Sequence, residues 1–418
     1  MLIGFSAFAQ ETNGTEKDSL SGIKKTIAGF SERKGHPFTT GYLPVGFFDI
    51  DLKTLFKYNA HEGFRLGVGG VTNAKLFENY KLGGYIVYGF KDEIFKYSLG
   101  GSALVNKEKK AWASLYYTDD IKEIGTYDFL TDARFYSLFE PRLLNIIQFY
   151  KYTQWQANLQ SELSPKLLTE LRVEHTDVSN FEDYYFIKDG KGYREYQLAE
   201  AILSFRIKLQ TDSIVNGDGK KVATDVLPKV SAQITKGFKG IVGSDFNYTK
   251  FGLKLDYEIQ RMNLSNTSFL LQGELASGDV PLTHLFHAFP NQPTKEKLSK
   301  RFSVAGVQSF ETMYFGEFYS DKLAMLQMKH TFRRFKLGKN WKPEVVVISR
   351  HAIGDMNNTN RHFGIPFNTL DHPYNEAGIE LNKIALGFGL SFAYRYGYYN
   401  LPSFEDNVSF KFTFNLKI

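Results

Sequence analysis

From residue 408 to 418 apolar and polar positions alternate without a break. Val408, Phe410, Phe412, Phe414, Leu416 and Ile418 stand against Ser409, Lys411, Thr413, Asn415 and Lys417. In an extended strand successive side chains face opposite sides, so this segment carries one large apolar face and one polar face. The same rule governs residues 386–396, where Leu386, Phe388, Leu390, Phe392, Tyr394 and Tyr396 oppose Gly387, Gly389, Ser391, Ala393 and Arg395. It recurs in Phe95, Tyr97, Leu99, Gly101, Ala103 and Val105. It recurs again in Phe251, Leu253, Leu255, Tyr257 and Ile259, opposite Lys250, Lys254, Asp256, Glu258 and Gln260.

Strands of soluble sheets average about 5–6 residues. Several of these segments are near the ~9–11 residues of a membrane-spanning strand. Their polar faces are too charged for a packed core and suit a wet lumen, while the apolar faces suit lipid. Sixteen segments can be drawn, from 63–73 to 407–418, with 110–119 and 121–130 counted as two. With both chain ends in the periplasm, Ser164-Pro165, residues 263–265, residues 336–341 and Ile384-Ala385 fall on the short-turn side. The stretches 131–145, 178–194, 278–320 and 353–373 fall on the outer-loop side, the exceptions being a long turn near residues 211–227 and short loops after the first and third strands. The expected fold is all-β: a transmembrane antiparallel outer-membrane β-barrel of about sixteen strands over residues 63–418.

Composition narrows the picture further. The chain has 418 residues, 38 Phe, 25 Tyr and no Cys. Disulfides, Cys-ligated zinc and thiol nucleophiles are therefore excluded. No uncharged apolar run reaches the ~18 residues of a membrane helix. A mean hydropathy of −0.30 follows naturally when each lipid-facing residue alternates with a polar one. The net charge of +6 is spread along the chain with no basic block, so nucleic acid is not an expected partner. Residues 1–9 end in Ala7-Phe8-Ala9, a small-x-small pattern, and read as the remnant of a signal peptide. Residues 10–62 read as a periplasmic N-terminal segment.

Several motifs resemble one known family. They are Glu62-Gly63-Phe64-Arg65-Leu66-Gly67-Val68-Gly69-Gly70-Val71-Thr72-Asn73, then Leu82-Gly83-Gly84-Tyr85 with Tyr88-Gly89-Phe90-Lys91-Asp92, then Lys96-Tyr97-Ser98-Leu99-Gly100-Gly101. Glu317-Phe318-Tyr319-Ser320-Asp321-Lys322, leading into Leu326-Gln327-Met328-Lys329-His330-Thr331-Phe332, and Pro373-Tyr374-Asn375-Glu376-Ala377-Gly378-Ile379-Glu380-Leu381 complete them. Together they resemble the barrel of a largely uncharacterised Bacteroidota outer-membrane family, whose full-length members carry a carboxypeptidase-regulatory-like domain. On that resemblance the chain is a shortened member. More distantly the barrel is similar to the BamA/TamA and two-partner-secretion superfamily, which implies sixteen strands and a long sixth outer loop. The superfamily's Arg-Gly-aromatic signature is missing: residues 302–310 read Phe-Ser-Val-Ala-Gly-Val-Gln-Ser-Phe.

Chemistry-bearing residues give weaker signals. His284 and His287 are two imidazoles where zinc usually takes three or four protein ligands. His351, His362 and His372 have no metal-ligand spacing. His330 and His351 have no recognisable Ser partner for a hydrolase. Glu170, Arg172 and Glu174 share a strand face and fit lumen lining better than acid–base chemistry. No catalytic residue, cofactor or metal is expected. The leading expectation is a non-enzymatic outer-membrane barrel in envelope biogenesis or protein translocation. Its expected partners are outer-membrane lipid, client proteins and periplasmic or outer-membrane partner subunits. A passive or substrate-specific channel and an outer-membrane hydrolase are the alternatives. The residues expected to matter are an inward loop with Phe302, Gly306, Phe310 and Glu311. With them goes a barrel seam of Gly63, Arg65, Gly67 and Asn73 against Phe410, Phe412, Phe414 and Ile418.

Overall fold

The computed structural model describes residues 41–130, 141–180, 183–209, 212–215, 221–224, 228–261, 265–293, 303–336, 342–385 and 387–414. Residues 1–40, Phe302 and Ile418 lie outside the described residues, as does the leader expected at 1–9. The described chain is all-β, and its only helical pieces are short 3-10 turns.

Nineteen strands join one sheet. From Gly63–Thr72 to Val408–Phe414 each long strand pairs antiparallel with the next. The alternating segments of the sequence become these strands because each can turn a whole face outward and a whole face inward.

Two boundaries differ from the sequence reading. Segments 110–119 and 121–130 do not form two strands: Ala111–Glu123 is a single strand that runs through the Asp119-Asp120 pair. The sheet also begins earlier than residue 63. Phe48–Asp51 pairs with residues 70–72, and Phe56–Asn59 pairs with residues 63–66, so the two together cover one edge of Gly63–Thr72. They are separated by a 3-10 turn at Leu52–Thr54, where the Asp51 side chain accepts from the Lys53 N–H at 3.0 Å. Tyr42–Val45 then folds back on Phe48–Asp51. This stretch was missed because the turn breaks the period-two pattern.

The two faces of the sheet are inverted relative to a water-soluble domain. Leu99 is 71% exposed, and Phe64, Val68, Leu82, Trp155, Leu275 and Phe388 are exposed beside it in kind. Lys96, Asp120, Glu200, Lys254, Arg395 and Lys411 are buried, and Arg350 is only 1% exposed. Exposed apolar area costs about 25 cal/mol per Å² in water, so this outer face needs an apolar surrounding. Buried charges need partners, and they have them. Lys96 Nζ lies 2.8 Å from Glu62 and 2.5 Å from Asp92. Lys250 reaches Glu200 at 3.4 Å, and Arg350 reaches Glu376 at 2.5 Å.

The apolar cores lie at the long-connection end. One gathers Tyr184, Phe186, Tyr196, Phe246, Tyr248 and Leu282. The other gathers Tyr127, Phe286, Phe310, Met313, Phe318 and Tyr374. Both are built largely from loop residues packed against strand ends.

Candidate functional site

The connection between Asn266–Gly278 and Lys322–Thr331 enters the space against the inner face. Leu282, Phe286, Ala288, Asn291, Gln292 and Ser309 retain almost no accessible surface. Two of its stretches, Pro290–Gln292 and Phe310–Tyr314, lie side by side as short parallel strands, and every residue in both is buried.

Glu311 is the node of this insertion. Its carboxylate accepts from the Gly306 N–H at 3.1 Å, the Ser309 hydroxyl at 2.7 Å and the Asn291 amide at 2.7 Å. Lys411 Nζ, on the last strand, sits 3.1 Å away and also donates to the Asn291 carbonyl. Gly306 has no room for a side chain, because a Cβ would run into Ser309. Asn145 adds a bond to Asn291 Oδ1 at 2.7 Å and another to the Val304 carbonyl at 2.7 Å.

The neighbouring wall strands contribute further clamps. Glu376 accepts from the Thr312 N–H and hydroxyl, each at 2.7 Å, while Arg350 holds its other oxygen at 2.5 Å. Arg395 pairs with Glu317 at 2.8 Å, and Glu317 accepts from the Tyr314 N–H at 3.0 Å. At the opposite wall His287 meets Glu123 at 3.0 Å, and Arg142 grips Glu123 with a two-pronged contact at 2.7 and 2.5 Å. Charge-assisted bonds of this kind are shorter and stronger than neutral ones. The described part of the loop is therefore fastened to the wall, with Pro290–Gln292 and Phe310–Tyr314 buried against it.

The last strand completes the site. Its inner neighbour is Phe388–Tyr396. On its other edge Ser303 and Val304 pair in parallel with Lys411 and Phe412, and the Ala305 N–H donates to the Phe412 carbonyl at 2.8 Å. Among the described residues no ladder joins this edge to Phe48–Asp51 or Phe56–Asn59. The edge that would seek a partner strand is occupied by the chain's own loop.

The expected site residues fall as follows. Phe310 and Glu311 are buried in the inward loop. Phe410 and Phe412 point outward and are exposed, with Phe410 packed on Phe392 at 4.9 Å. Gly63, Arg65, Gly67 and Asn73 are not at a free edge, since their strand is paired on both sides. The edge lies instead on Tyr42–Val45, which covers Phe48–Asp51, and on Phe56–Asn59, stretches the sequence reading left in a periplasmic segment. Arg65 turns inward and binds Asp120 through two 2.7 Å bonds. Asn73 ties the strand end to Gly46 O at 3.2 Å and Asp49 at 3.1 Å.

The histidines are each engaged elsewhere. Burial, then the nearby Lys250 charge, depresses the His284 imidazole to about 3, and it meets the Thr283 hydroxyl at 2.8 Å. His351 bonds Ser349 at 2.8 Å and Asn375 at 2.7 Å. His372 stacks on Tyr398 at 3.7 Å. Among the described residues no three His, Asp or Glu side chains converge on a metal position. Arg172 lies 3.8 Å from Glu170 and 3.6 Å from Glu174, an ion-pair ladder on one strand. The sequence reading missed Asn145, Asn291, Arg350 and Glu376, because their partners are 20 to 159 residues away.

Comparison with known proteins agrees with this architecture. Residues 47–275 match the family described as "Family of unknown function (DUF5686) C-terminal domain", and the chain belongs to that family. No curated protein matches the chain. Among solved structures it is similar to BamA from Haemophilus ducreyi lacking POTRA domains 1-3. The two share 14% identity at a TM-score of 0.52, over 94% of this chain and 78% of that one. CdiB from Acinetobacter baumannii matches at a TM-score of 0.43 and 12% identity, over 84% of this chain and 56% of that one. Wzi from Escherichia coli, described as a carbohydrate-binding β-barrel, matches at a TM-score of 0.30 and 10% identity, over 93% of this chain and 85% of that one. The likeness to BamA is one of fold: an all-β chain built on a large antiparallel sheet, similar to an outer-membrane barrel.

Proposed function

We propose that this chain is a non-enzymatic outer-membrane barrel of envelope biogenesis or protein translocation, which works by exposing the edge of its last strand. The observation that carries this reading is the loop segment Ser303–Val304 seated on that edge. A strand edge is a row of unsatisfied backbone groups, and an extended client segment can replace one strand by another with little change in hydrogen bonding. The first strand is broken at Leu52–Thr54, which weakens the other side of the seam. The exposed apolar belt fits the bacterial outer membrane as its location, with lipid as its surroundings. Client proteins and partner subunits are the macromolecular partners this reading requires.

The chain has no native Cys, so a Val304→Cys, Phe412→Cys pair gives a single addressable cross-link at two register partners. Cells relying on the locked protein should lose their outer-membrane assembly or secretion phenotype and recover it when the link is cleaved. Full function with the link closed would overturn the reading. In planar bilayers the filled interior should give a nearly silent protein. A stable open conductance would instead favour a channel.

A further inference from the structure

On the outer face of the sheet, three cross-strand rows change character over a few residues. Leu115, Ala157, Val173 and Ala201 form an apolar row. Directly toward the long-connection end come Tyr117, Trp155, His175 and Ala199, with Tyr117 against Trp155 at 5.0 Å and Tyr97 against Tyr117 at 6.0 Å. The next row is polar: Asp119, Thr153, Asp177 and Gln197. Rows two residues apart along a strand are separated by about 7 Å. An aromatic row between an apolar and a polar one marks the level where hydrocarbon meets headgroups.

A groove of about 590 Å³ opens at the polar row. Its floor includes Thr153, Asp177 and Gln197, and its walls include Lys191, Tyr193 and Asp245. The walls come from two long connections that overhang the outer face. One is fixed by Asp245, which accepts from the Gln197 N–H at 2.9 Å, and by His175, which meets the Val242 carbonyl at 2.9 Å. Gly243 is required there, since it has φ +83 and a Cβ would strike the Gln197 amide oxygen. The volume suits a ligand of a few hundred daltons.

The chemistry of the lining selects among headgroups. Three carboxylates, Asp177, Glu195 and Asp245, face two lysines, Lys151 and Lys191. Lys151 is shared with Asp119 at 3.6 Å, and Lys191 lies over the Tyr193 ring at 4.5 Å. An isolated phosphate would meet an excess of negative charge here. Sugar hydroxyls donate to carboxylates, accept from amide and ammonium groups, and present a C–H face to a tyrosine ring.

We infer that this groove binds the saccharide headgroup of an outer-leaflet glycolipid, whose acyl chains lie along the Trp155–Val173 wall beneath it. The inference rests on the membrane-spanning part of the proposed function and is independent of any opening at the last strand. It is tested with the full chain in detergent micelles by native mass spectrometry and by Trp155 fluorescence in a Trp112→Phe, Trp341→Phe background. The probes are a lipooligosaccharide, phosphatidylethanolamine and the deacylated core oligosaccharide. The lipooligosaccharide should bind at least tenfold more tightly than either of the others. An Asp177→Ala, Gln197→Ala variant should lose at least tenfold in affinity. Lys191→Ala, on an exposed hairpin and harmless to folding, should lose several-fold. Equal binding of the phospholipid would mean an unselective lipid annulus and would overturn the proposal. Equal binding of the free oligosaccharide would make it a site for soluble sugar and would also overturn it. Unchanged binding by both variants would place the lipid elsewhere. Failure of the chain to associate with membranes at all is a separate result, read by detergent extraction, and would count against the proposed function instead.

Discussion

Removing the Glu311 carboxylate should release the inward loop. In Glu311→Ala four donors lose their acceptor at once: Lys411 Nζ at 3.1 Å, the Gly306 N–H at 3.1 Å, Ser309 at 2.7 Å and Asn291 at 2.7 Å. Lys411 is 1% exposed, so it is left as a buried charge with only the Asn291 carbonyl. Breaking one side of a buried pair costs about 3–5 kcal/mol. The lower end of that range shifts the loop's in–out balance by roughly a hundredfold. Lys411→Met should cost less, because Glu311 keeps three donors, about 1–3 kcal/mol. The double variant Glu311→Ala, Lys411→Met removes both charges and should lie well below the sum of the singles. Ala305 is 6% exposed and hydrogen-bonded to the last strand, so a lone Ala305→Cys reports loop release through its rate of maleimide labelling. The expected order of labelling is Glu311→Ala fastest, the double variant intermediate and the parent slowest. A Glu311→Ala rate within threefold of the parent would refute the idea that this carboxylate holds the loop.

Three other outcomes follow from the same physics. Burial, then the neighbouring Arg361 charge, lowers His362 from 6.5 to about 4, and its Nδ1 meets the Tyr184 hydroxyl at 2.9 Å. A loosened loop binds that proton more readily, so the stabilisation is complete above about pH 6.5 and fades as pH falls toward 4. The protection of the Tyr185–Lys188 and Lys191–Tyr193 amides, taken against the intrinsic exchange rate at each pH, should fall over that interval, and a His362→Gln variant should lose this fall in protection. Gly100→Val should fail to fold to a heat-modifiable barrel, since a Cβ there meets the Leu115 carbonyl and the Tyr116 ring; overpacking of this kind costs about 1–3 kcal/mol. Arg65→Leu should lower the urea midpoint followed by tryptophan fluorescence, by about 3–5 kcal/mol of stability. Arg65→Lys should recover only part of it, because an ammonium cannot reproduce the two parallel bonds to Asp120.

The strand content was legible because alternation is a local property, written within about ten residues. Where a chemical accident broke the alternation, the reading failed. Asp119-Asp120 looks like a turn, yet Asp119 faces the outer polar row while Asp120 faces inward to Arg65 and to the Tyr85 hydroxyl at 2.5 Å. The 3-10 turn at Leu52–Thr54 hid the strands on either side of it. The two differences offset each other: one strand fewer near residue 120 and one interrupted strand more before residue 63. The connection 279–321 therefore still joins Asn266–Gly278 to Lys322–Thr331. The partners of that loop were not legible. Nothing near Asn291 in sequence announces Asn145, and nothing near Thr312 announces Glu376.

The placement of Lys411 links the two halves of the site. Its side chain points inward to Glu311, while its backbone belongs to the edge that Ser303 occupies. One residue later, Phe412 turns outward and its carbonyl takes the Ala305 N–H. A strand that displaces residues 303–305 from the edge must move Gly306, whose N–H is bonded to Glu311. Glu311 in turn holds Asn291 and Ser309, so edge exchange pulls directly on the packing of the interior. Conversely, breaking the Glu311–Lys411 pair loosens the segment that shields the edge. On the proposed function, these contacts should make the edge and the interior respond as one element rather than two independent parts. The consequence is measurable as thermodynamic coupling. Cross-linking Val304 to Phe412 should suppress the labelling increase that Glu311→Ala produces at Ala305, whereas two independent parts would leave that increase intact.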